Sequence, residues 1–310
     1  MTSQTVSRWL KSRRLIRIML PAILIGIVLG GIGYFRPVML GSAFEQAGMW
    51  IQGIRRNDVQ LGPYRIHYLV AGEGRPLVLV HGLGVRSEIW LPLIPQLKAG
   101  GCRVYVPDLL GYGRSDRPDV DYAISLQADI VRQFLDSQGL QQADLAGWSM
   151  GGWISLKLAA DSPQRVRRLI LLDSAGMQFD AVHRAALRPR TPEQLAHLME
   201  VLSPKPRAIP GFLARDILRV ANEQDWVVGR SLDSMLAGKD LMDGKLGAVT
   251  MPVLLVWGRQ DVLTPLAIAE EMRREMPQSV LTVAEGCGHL APVECLDQVG
   301  PEMMRFLTKQ

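Results

Sequence analysis

Residues 144–161 read DLAGWSMGGWISLKLAAD and indicate the fold more clearly than any other part of the chain. Asp144–Ala146 is a short β-type run, and Met150–Asp161 has the pattern of a helix. Between them lies a G-x-S-x-G pentapeptide centred on Ser149. This motif is a weak signal by itself and a much stronger one between a strand and a helix. The sequence therefore predicts a serine on a tight strand-to-helix turn.

Steric limits explain the glycines of this turn. A serine held there takes a strained backbone, so its close neighbours must lack bulk, and Gly147, Gly151 and Gly152 meet that demand. The turn raises the hydroxyl above the sheet and directs the free N–H groups of the helix N-terminus toward developing negative charge. The alternative interpretation is a glycine-flanked helix cap without chemistry.

Short apolar strands alternate with helical stretches over most of the remaining chain, which predicts a mostly parallel sheet with helices on both faces. Two further strands around Gly62-Pro63 are predicted to form a hairpin. The predicted strands are Val59–Leu61, Ile66–Ala71, Leu77–Val80, Val104–Val106, Asp144–Ala146, Leu169–Leu172, Val253–Trp257 and Val280–Val283, and the predicted helices are Leu126–Ser137, Met150–Asp161, Leu266–Met276 and Val293–Leu307.

Residues 177–246 interrupt this alternation. They show no convincing strand and contain helical pieces separated by prolines, and seventy residues between two core strands are too many for a loop. We expect a helical cap inserted into one sheet domain at 57–310. Four methionines of this region suit either an acyl-chain pocket or ordinary packing: Met177, Met199, Met235 and Met242.

Two further residues supply what a serine nucleophile needs. Asp261 follows the strand Val253–Trp257 and His289 follows Val280–Val283, so each is expected at the carboxyl end of a strand, where active sites of open α/β sheets assemble. We expect His289 to accept the proton of Ser149 and Asp261 to orient the imidazole. Asp173, at the end of Leu169–Leu172, is the alternative acid.

The run His81-Gly82-Leu83-Gly84 directly follows the strand Leu77–Val80. Its small residues let the chain turn back over the sheet. We expect the backbone N–H groups of Leu83 and Met150 to form an oxyanion hole, in which losing one donor typically costs about 3–4 kcal/mol of transition-state stabilisation. His81 is expected to brace this loop.

These motifs together resemble the α/β-hydrolase superfamily of serine hydrolases, and the length and the apolar N-terminal segment resemble its membrane-anchored monoacylglycerol lipase and esterase branch. The resemblance spans roughly residues 59–307. It implies an α/β-hydrolase fold with a triad of Ser149, Asp261 and His289, and it implies that Asp108 and Ser115 are structural loop residues. The motifs are, in order, HGLG, DLLGYGRSD, GWSMGG, GRQD and GCGH.

The first 56 residues differ in composition from the rest. Residues 1–14 form a basic tail, residues 15–35 are predicted to be a transmembrane signal anchor, and residues 36–56 form a juxtamembrane segment with helical periodicity. That segment is expected to lie in the membrane interface or to pack on the globular domain. A cleaved signal peptide is the alternative, but the uncharged run 18–35 exceeds a usual h-region.

Charge separates the two parts of the chain and indicates an orientation. Eight of the 35 Lys and Arg residues and a single acid lie within residues 1–56, so this segment carries +7 of the net charge of +5 and the remainder carries −2. The basic excess before the span predicts a cytoplasmic N-terminus and an extracytoplasmic catalytic domain. A slightly acidic domain does not favour nucleic acid as a partner.

Cysteine and histidine usage indicates neither a cofactor nor a metal. The three cysteines, Cys102, Cys287 and Cys295, have no paired spacing, so no disulfide framework is predicted and Cys287 is interpreted as a small buried hydrophobe. The count does not decide the redox compartment.

The hypothesis that follows is hydrolysis of carboxylic esters through an acyl-enzyme, with monoacylglycerols or other lipid-like esters as substrates and the bilayer as the site of attachment. A C–C bond hydrolase or a perhydrolase on the same fold is one alternative. A non-catalytic ligand-binding protein is another. The sequence does not indicate an oligomeric state.

Overall fold

An eight-stranded sheet forms the centre of the protein in the computed structural model, which describes residues 30–31, 33–178 and 183–309. The strand order is β1-β2-β4-β3-β5-β6-β7-β8. β1 pairs antiparallel with β2 and β2 antiparallel with β4, whereas β4, β3, β5, β6, β7 and β8 are all parallel. The predicted mostly parallel sheet is confirmed. The strands are β1 Arg55–Leu61, β2 Tyr64–Ala71, β3 Arg75–Val80, β4 Cys102–Pro107, β5 Ala143–Trp148, β6 Val166–Leu172, β7 Val253–Gly258 and β8 Ser279–Ala284.

Helices flank this sheet and connect its parallel strands. In chain order the α-helices are α1 Pro37–Ile51, α2 Ile94–Ala99, α3 Ile124–Ser137, α4 Met150–Asp161, α5 Pro192–Leu202, α6 Gly211–Asn222, α7 Asp225–Leu236, α8 Leu266–Glu275, α9 Ala291–Glu294 and α10 Leu296–Thr308.

Alternation along the central strands divides the core into two layers. Val78 and Val80 of β3 belong to the apolar cluster on one face, and Leu77 and Leu79 belong to the cluster on the other. All four side chains are fully buried. Strands covered on both faces read as unbroken apolar runs, which is why the central strands were recognisable from the sequence.

The edge strand β1 begins at Arg55, which is two residues before the predicted domain start at 57 and four before the predicted strand at Val59. Its first residues are charged or polar because one side of an edge strand faces water. The hairpin turn is at Gly62, as predicted, and Gly62 has a φ of 56°.

The connection from β6 to β7 carries the helical region. Between these strands the described residues contain α5, α6 and α7 and no strand. A small separate cluster of buried side chains, Leu195, Ala214 and Leu218, joins α5 to α6.

The N-terminal prediction is only partly within reach of the structure. Most of the predicted anchor at 15–35, namely 15–29 and residue 32, lies outside the described residues, as does the basic tail at 1–14. Among the residues that are described, no helix has both the length and the apolar character needed to cross a membrane. The segment 36–56 contains α1 and the start of β1.

The cysteine prediction is wrong in one respect. Cys287 and Cys295 form a disulfide, with their Cα atoms 6.4 Å apart, and Cys102 is free and buried. The predicted helix Val293–Leu307 is two helices, α9 and α10, because Cys295 lies between them with a non-helical backbone. This break in the helix brings the two sulfur atoms together, and no spacing rule in the sequence indicates it.

Candidate active site

The candidate residues converge at one edge of the sheet because the carboxyl ends of parallel strands meet there. Ser149 directly follows β5, Asp261 follows β7 and His289 follows β8. Leu83 follows β3, which lies beside β5. The loops after four neighbouring or near-neighbouring strands therefore form the site.

Ser149 has the strained backbone that the sequence predicts for this turn. Its φ is 56° and its ψ is −121°, a conformation that residues other than glycine rarely adopt. A Cβ added at Gly147 would lie 2.2 Å from the carbonyl oxygen of Gly151, and one added at Gly151 would lie 2.2 Å from that of Val80. The chain therefore forms this turn only with glycine at both positions.

Asp261 and His289 form a buried hydrogen-bonded pair. Nδ1 of His289 donates to Oδ2 of Asp261 at 2.8 Å, and both side chains are almost fully buried. Oδ1 of Asp261 accepts from the backbone N–H groups of Leu263 at 2.8 Å and Thr264 at 2.9 Å. Because Nδ1 donates to this carboxylate, Nε2 is the nitrogen left to act as a base.

Two residues that the sequence analysis does not single out hold this pair. Oγ1 of Thr264 lies 2.7 Å from Oδ2 of Asp261 and 3.2 Å from Nδ1 of His289. The indole N–H of Trp148 donates to the carbonyl oxygen of His289 at 2.8 Å, which ties the loop after β8 to the serine turn. Thr264 could have been found, since an aspartate followed by a helix start commonly accepts N–H groups two and three residues on.

Ser149 and His289 line the same cavity. Trp148, the residue before Ser149, lies next to His289. The rings of Trp148 and His289 are 5.6 Å apart between centroids. Within the described parts of the chain, the Ser149 hydroxyl makes no hydrogen bond to His289.

The two predicted oxyanion donors are both available. Among the described residues, neither the N–H of Leu83 nor that of Met150 donates to a protein acceptor. The loop that carries Leu83 lies close to the serine, because a Cβ added at Gly82 would be 3.3 Å from Cβ of Ser149. Both amides therefore remain free to bind a substrate oxygen.

His81 lies beneath this loop and is completely buried. Its Nε2 accepts from the backbone N–H of Leu109 at 3.0 Å, and its Nδ1 donates to the carbonyl oxygen of Gly82 at 2.8 Å. Burial lowers the pKa of His81, so the ring is neutral. These contacts anchor the Leu83 loop and leave His81 no route to the cavity.

Asp173, the alternative acid, lies behind Asp261 and not against the imidazole. Its Oδ1 accepts from the backbone N–H of Gly258 at 2.7 Å, and its buried Oδ2 has no partner among the described residues. Burial, and then the charge of Asp261, raises the pKa of Asp173 well above its usual value. A neutral carboxyl next to a carboxylate is a supporting group, so the structure favours Asp261 as the partner of His289.

A cavity of about 910 Å³ opens above these residues, beneath the helical region. Its volume is within the range of ligand pockets for small organic molecules. Most of its wall is apolar and comes from α5, α6 and α7, including Leu195, Leu198, Met199, Leu202, Ile217, Leu218, Val228, Leu232 and Met235. Met177 also lines it, whereas Met242 is buried in the core.

The charged groups of the cavity wall are largely paired with one another. Arg188 forms two hydrogen bonds with Asp225, at 2.8 and 2.6 Å, and Arg86 contacts Glu88 at 3.0 Å. No group of three potential metal ligands occurs within the part of the chain that the structure describes.

Comparison with known proteins places this geometry among known hydrolases. Residues 77–299 match the model of the "Alpha/beta hydrolase family". An uncharacterized protein of Mycobacterium tuberculosis (strain ATCC 25618 / H37Rv) is 30% identical over 250 residues, which cover 73% of each chain. A 2-hydroxymuconate semialdehyde hydrolase of Pseudomonas sp. (strain CF600) is 33% identical over 249 residues, 72% of this chain and 83% of the relative.

One solved structure matches over a longer part of the chain. It is described as a membrane phospholipase A and a bacterial virulence factor, with a TM-score of 0.82 and 27% sequence identity. The match covers 94% of this chain and 97% of the other. The first 56 of the 310 residues make up about 18% of the sequence. A match over 94% of the chain therefore includes part of the segment that precedes the sheet.

Proposed function

This chain belongs to the alpha/beta hydrolase family, and we propose that it is a membrane-tethered serine hydrolase that cleaves lipid-like carboxylic esters through an acyl-enzyme. The observation that carries the proposal is the buried Asp261–His289 pair, which shares one cavity with Ser149 on its strained turn. The amides of Leu83 and Met150, which have no protein acceptor among the described residues, are the proposed oxyanion donors. This is the set of groups that acyl transfer requires.

In the proposed reaction, Oγ of Ser149 attacks the ester carbonyl carbon while Nε2 of His289 takes the hydroxyl proton. The carbonyl oxygen becomes an oxyanion and accepts hydrogen bonds from the N–H groups of Leu83 and Met150. The C–O bond to the alcohol then breaks, and the imidazolium returns the proton to the departing oxygen. In the second half His289 deprotonates a water molecule, which attacks the acyl carbon. The bond from this carbon to Oγ of Ser149 then breaks, and the imidazolium returns the proton to Oγ, which releases the acid and restores Ser149.

Asp261 holds the imidazole in the required tautomer throughout this sequence. Its two backbone donors and the Thr264 hydroxyl fix the carboxylate, so the ring cannot rotate without losing the bond to Nδ1. The carboxylate also stabilises the imidazolium that forms when Ser149 is deprotonated.

The shape and chemistry of the cavity support an acyl chain as the group bound there. A volume of about 910 Å³ with mostly Leu, Ile, Val and Met walls is suited to an alkyl chain, because burial of each CH₂ contributes about 0.8 kcal/mol. The methionines Met177, Met199 and Met235 present flexible side chains to chains of different length. Monoacylglycerols and phospholipids are esters of this class.

The position of α1 supports a lipid surface as the source of the substrate. Val38 and Glu45 of this helix line the cavity, so α1 lies at its edge. On its outer side Phe44 is 71% exposed, Trp50 83% and Ile51 76%. Exposed large apolar residues next to a lipid-sized pocket are typical of an interfacial helix. We propose that α1 lies in the membrane interface, below the tether predicted at 15–35.

Hydrolysis of a C–C bond is the second candidate, and it rests on the 33% identity with the 2-hydroxymuconate semialdehyde hydrolase. An anionic diketone-type substrate needs a cationic group that is free to bind it. In this cavity the guanidinium of Arg188 is already engaged by both oxygens of Asp225. Arg184 also lines the cavity, so the preference for the neutral ester rests on the mostly apolar wall.

A chain-length series of esters separates these candidates. The full-length protein in detergent micelles is assayed on p-nitrophenyl esters of two to sixteen carbons, on a monoacylglycerol and on 2-hydroxymuconate semialdehyde, with Ser149→Ala as the control. We expect kcat/KM to rise with chain length to a medium or long acyl group and the monoacylglycerol to be cleaved. Activity confined to acetyl esters, or faster cleavage of the semialdehyde, would reject the lipid-ester proposal.

A further inference from the structure

The disulfide between Cys287 and Cys295 encloses the proposed base. The two cysteines are eight positions apart, and His289 lies between them. Both side chains are buried, and the third cysteine, Cys102, lies at the start of β4 and takes no part. The covalent bond therefore closes a small ring of backbone from which the imidazole projects.

This ring contacts the other elements that form the site. The carbonyl oxygen of Cys287 accepts from the N–H of Gln260, next to Asp261, at 2.9 Å. The carbonyl oxygen of His289 accepts from Trp148, next to Ser149. On the third side, the N–H of Leu290 donates to the carbonyl oxygen of Leu202 at the end of α5, at 3.3 Å. A shift of the ring would move His289 relative to both partners.

Local sequence alone does not hold such a segment still. It begins with Gly286-Cys287-Gly288, and Gly286 has a φ of 72°, a region in which glycine has the most freedom. A Cβ at Gly288 would lie 2.8 Å from the carbonyl oxygen of Leu202, so this residue must be glycine for the chain to pass. A crosslink removes many of the conformations that the glycines would otherwise allow.

We propose that the Cys287–Cys295 disulfide is a positioning element for His289, and that the protein is fully active only with this bond formed. The inference rests on the proposed role of His289 as the base. When the bond forms, the thiols of Cys287 and Cys295 are oxidised and together give up two electrons and two protons. A disulfide-containing oxidant accepts them by thiol–disulfide exchange and is reduced to a dithiol. Such exchange proceeds in oxidising compartments, so a disulfide at this position is consistent with the predicted extracytoplasmic location of the catalytic domain.

The test compares oxidised and reduced full-length protein. A dithiol reductant breaks the S–S bond and is itself oxidised to a cyclic disulfide, and thiol alkylation with mass spectrometry reports the state of each cysteine. On a p-nitrophenyl ester we expect kcat to fall by about tenfold to a hundredfold on reduction, because small displacements of a catalytic group have effects of this size. We expect KM to stay within about twofold and reoxidation to restore kcat.

Variants separate this effect from other consequences of reduction. The double variant Cys287→Ser/Cys295→Ser should have the activity of reduced wild-type protein and no response to reductant. The control Cys102→Ala should respond as wild-type does. Near-ultraviolet circular dichroism should be retained on reduction, and global unfolding would contradict a positioning role.

The outcomes also distinguish this inference from the proposed function. An oxidised protein that hydrolyses the ester, with equal kcat after confirmed reduction, would overturn the role of the disulfide and leave the proposed function intact. An oxidised protein without any ester hydrolysis would overturn both.

Discussion

At the scale of single residues, the candidate site depends on a few backbone conformations that a different residue could not adopt. Ser149 has a positive φ and is supported by glycines whose hydrogen atoms face carbonyl oxygens. This turn places Ser149 in the cavity wall, directly before the N-terminus of α4. The strained turn was predictable, because a G-x-S-x-G motif between a strand and a helix is typical of a serine held on such a turn.

Gly151→Ala tests the steric basis of this turn. Its Cβ would lie 2.2 Å from the carbonyl oxygen of Val80 and 2.4 Å from that of His81, and neither is on a side chain that can move away. We expect a loss of about 3 kcal/mol or more in the free energy of unfolding, measured by urea denaturation. Gly247→Ala, where nothing lies within 4 Å, is the matched control and should change it by less than about 0.5 kcal/mol. Equal stability of the two variants would contradict the argument.

Asp173 makes a prediction about pH. Burial and the charge of Asp261 raise its pKa well above the usual value, so the folded state keeps a proton that the unfolded chain releases near pH 4. The protonated Asp173 contributes fully to the free energy of unfolding below about pH 4. This contribution is lost as the pH rises toward the pKa of Asp173 in the folded protein. Asp173→Asn keeps an acceptor for the N–H of Gly258 and removes this titration.

The free energy of unfolding of Asp173→Asn should therefore rise relative to that of wild-type protein between pH 5 and pH 8, by at most about 1.4 kcal/mol per pH unit. Urea denaturation at each pH measures it. Asp121→Asn, at an exposed position, is the control and should show no such trend. A difference between Asp173→Asn and wild-type protein that does not change with pH would contradict a neutral carboxyl at this site.

At the scale of elements, α1 connects the outer surface to the helical region and to the Leu83 loop. The backbone N–H of Val38 donates to Asp216 of α6 at 3.0 Å. Glu45 contacts Arg86 at 3.8 Å, and Arg86 follows the Leu83 loop in sequence. The sequence alone left open whether this segment packs on the domain or lies in the membrane interface. The structure shows one side packed on the domain and the other side exposed.

Substitution of the exposed side of α1 should affect only substrate that is presented in a membrane. We expect Phe44→Ser/Trp50→Ser to lower hydrolysis of a monoacylglycerol in phosphatidylcholine vesicles by at least about fivefold, because fewer apolar groups enter the interface. Hydrolysis of a short soluble ester should stay within twofold. Gln46→Ser, an exposed polar position on the same helix, is the control. Equal losses on both substrates would show that the helix acts through folding instead.

At the scale of the whole molecule, the sheet was predicted better than its edges and crosslinks. The central strands were recognisable because both of their faces are buried, whereas the first half of β1 is charged and half-exposed. The helical region was predictable because residues 177–246 contain no convincing strand. The bounds of α5, α6 and α7 within it were not predicted. The disulfide was missed because it depends on the break at Cys295, whereas Thr264 was within reach of the sequence because its contact with Asp261 is local to one turn.

The proposed tether predicts a separation of membrane binding from catalysis. The full-length protein should remain in the membrane pellet after an alkaline carbonate wash, because residues 15–35 have the length and apolarity of a span. A chain that begins at Pro37 should be extracted by the same wash and should keep hydrolysis of a short soluble ester within about threefold. Release of the full-length protein by carbonate would contradict the tether.

Covalent labelling tests whether Ser149, Asp261 and His289 act as one catalytic unit, as we propose. The full-length protein is treated with a fluorophosphonate, and the modified peptide is identified by mass spectrometry. We expect an adduct on Ser149, none at this site in Ser149→Ala, and labelling slowed by at least about a hundredfold in His289→Ala. An adduct on another residue, or equal rates in wild-type protein and His289→Ala, would contradict it.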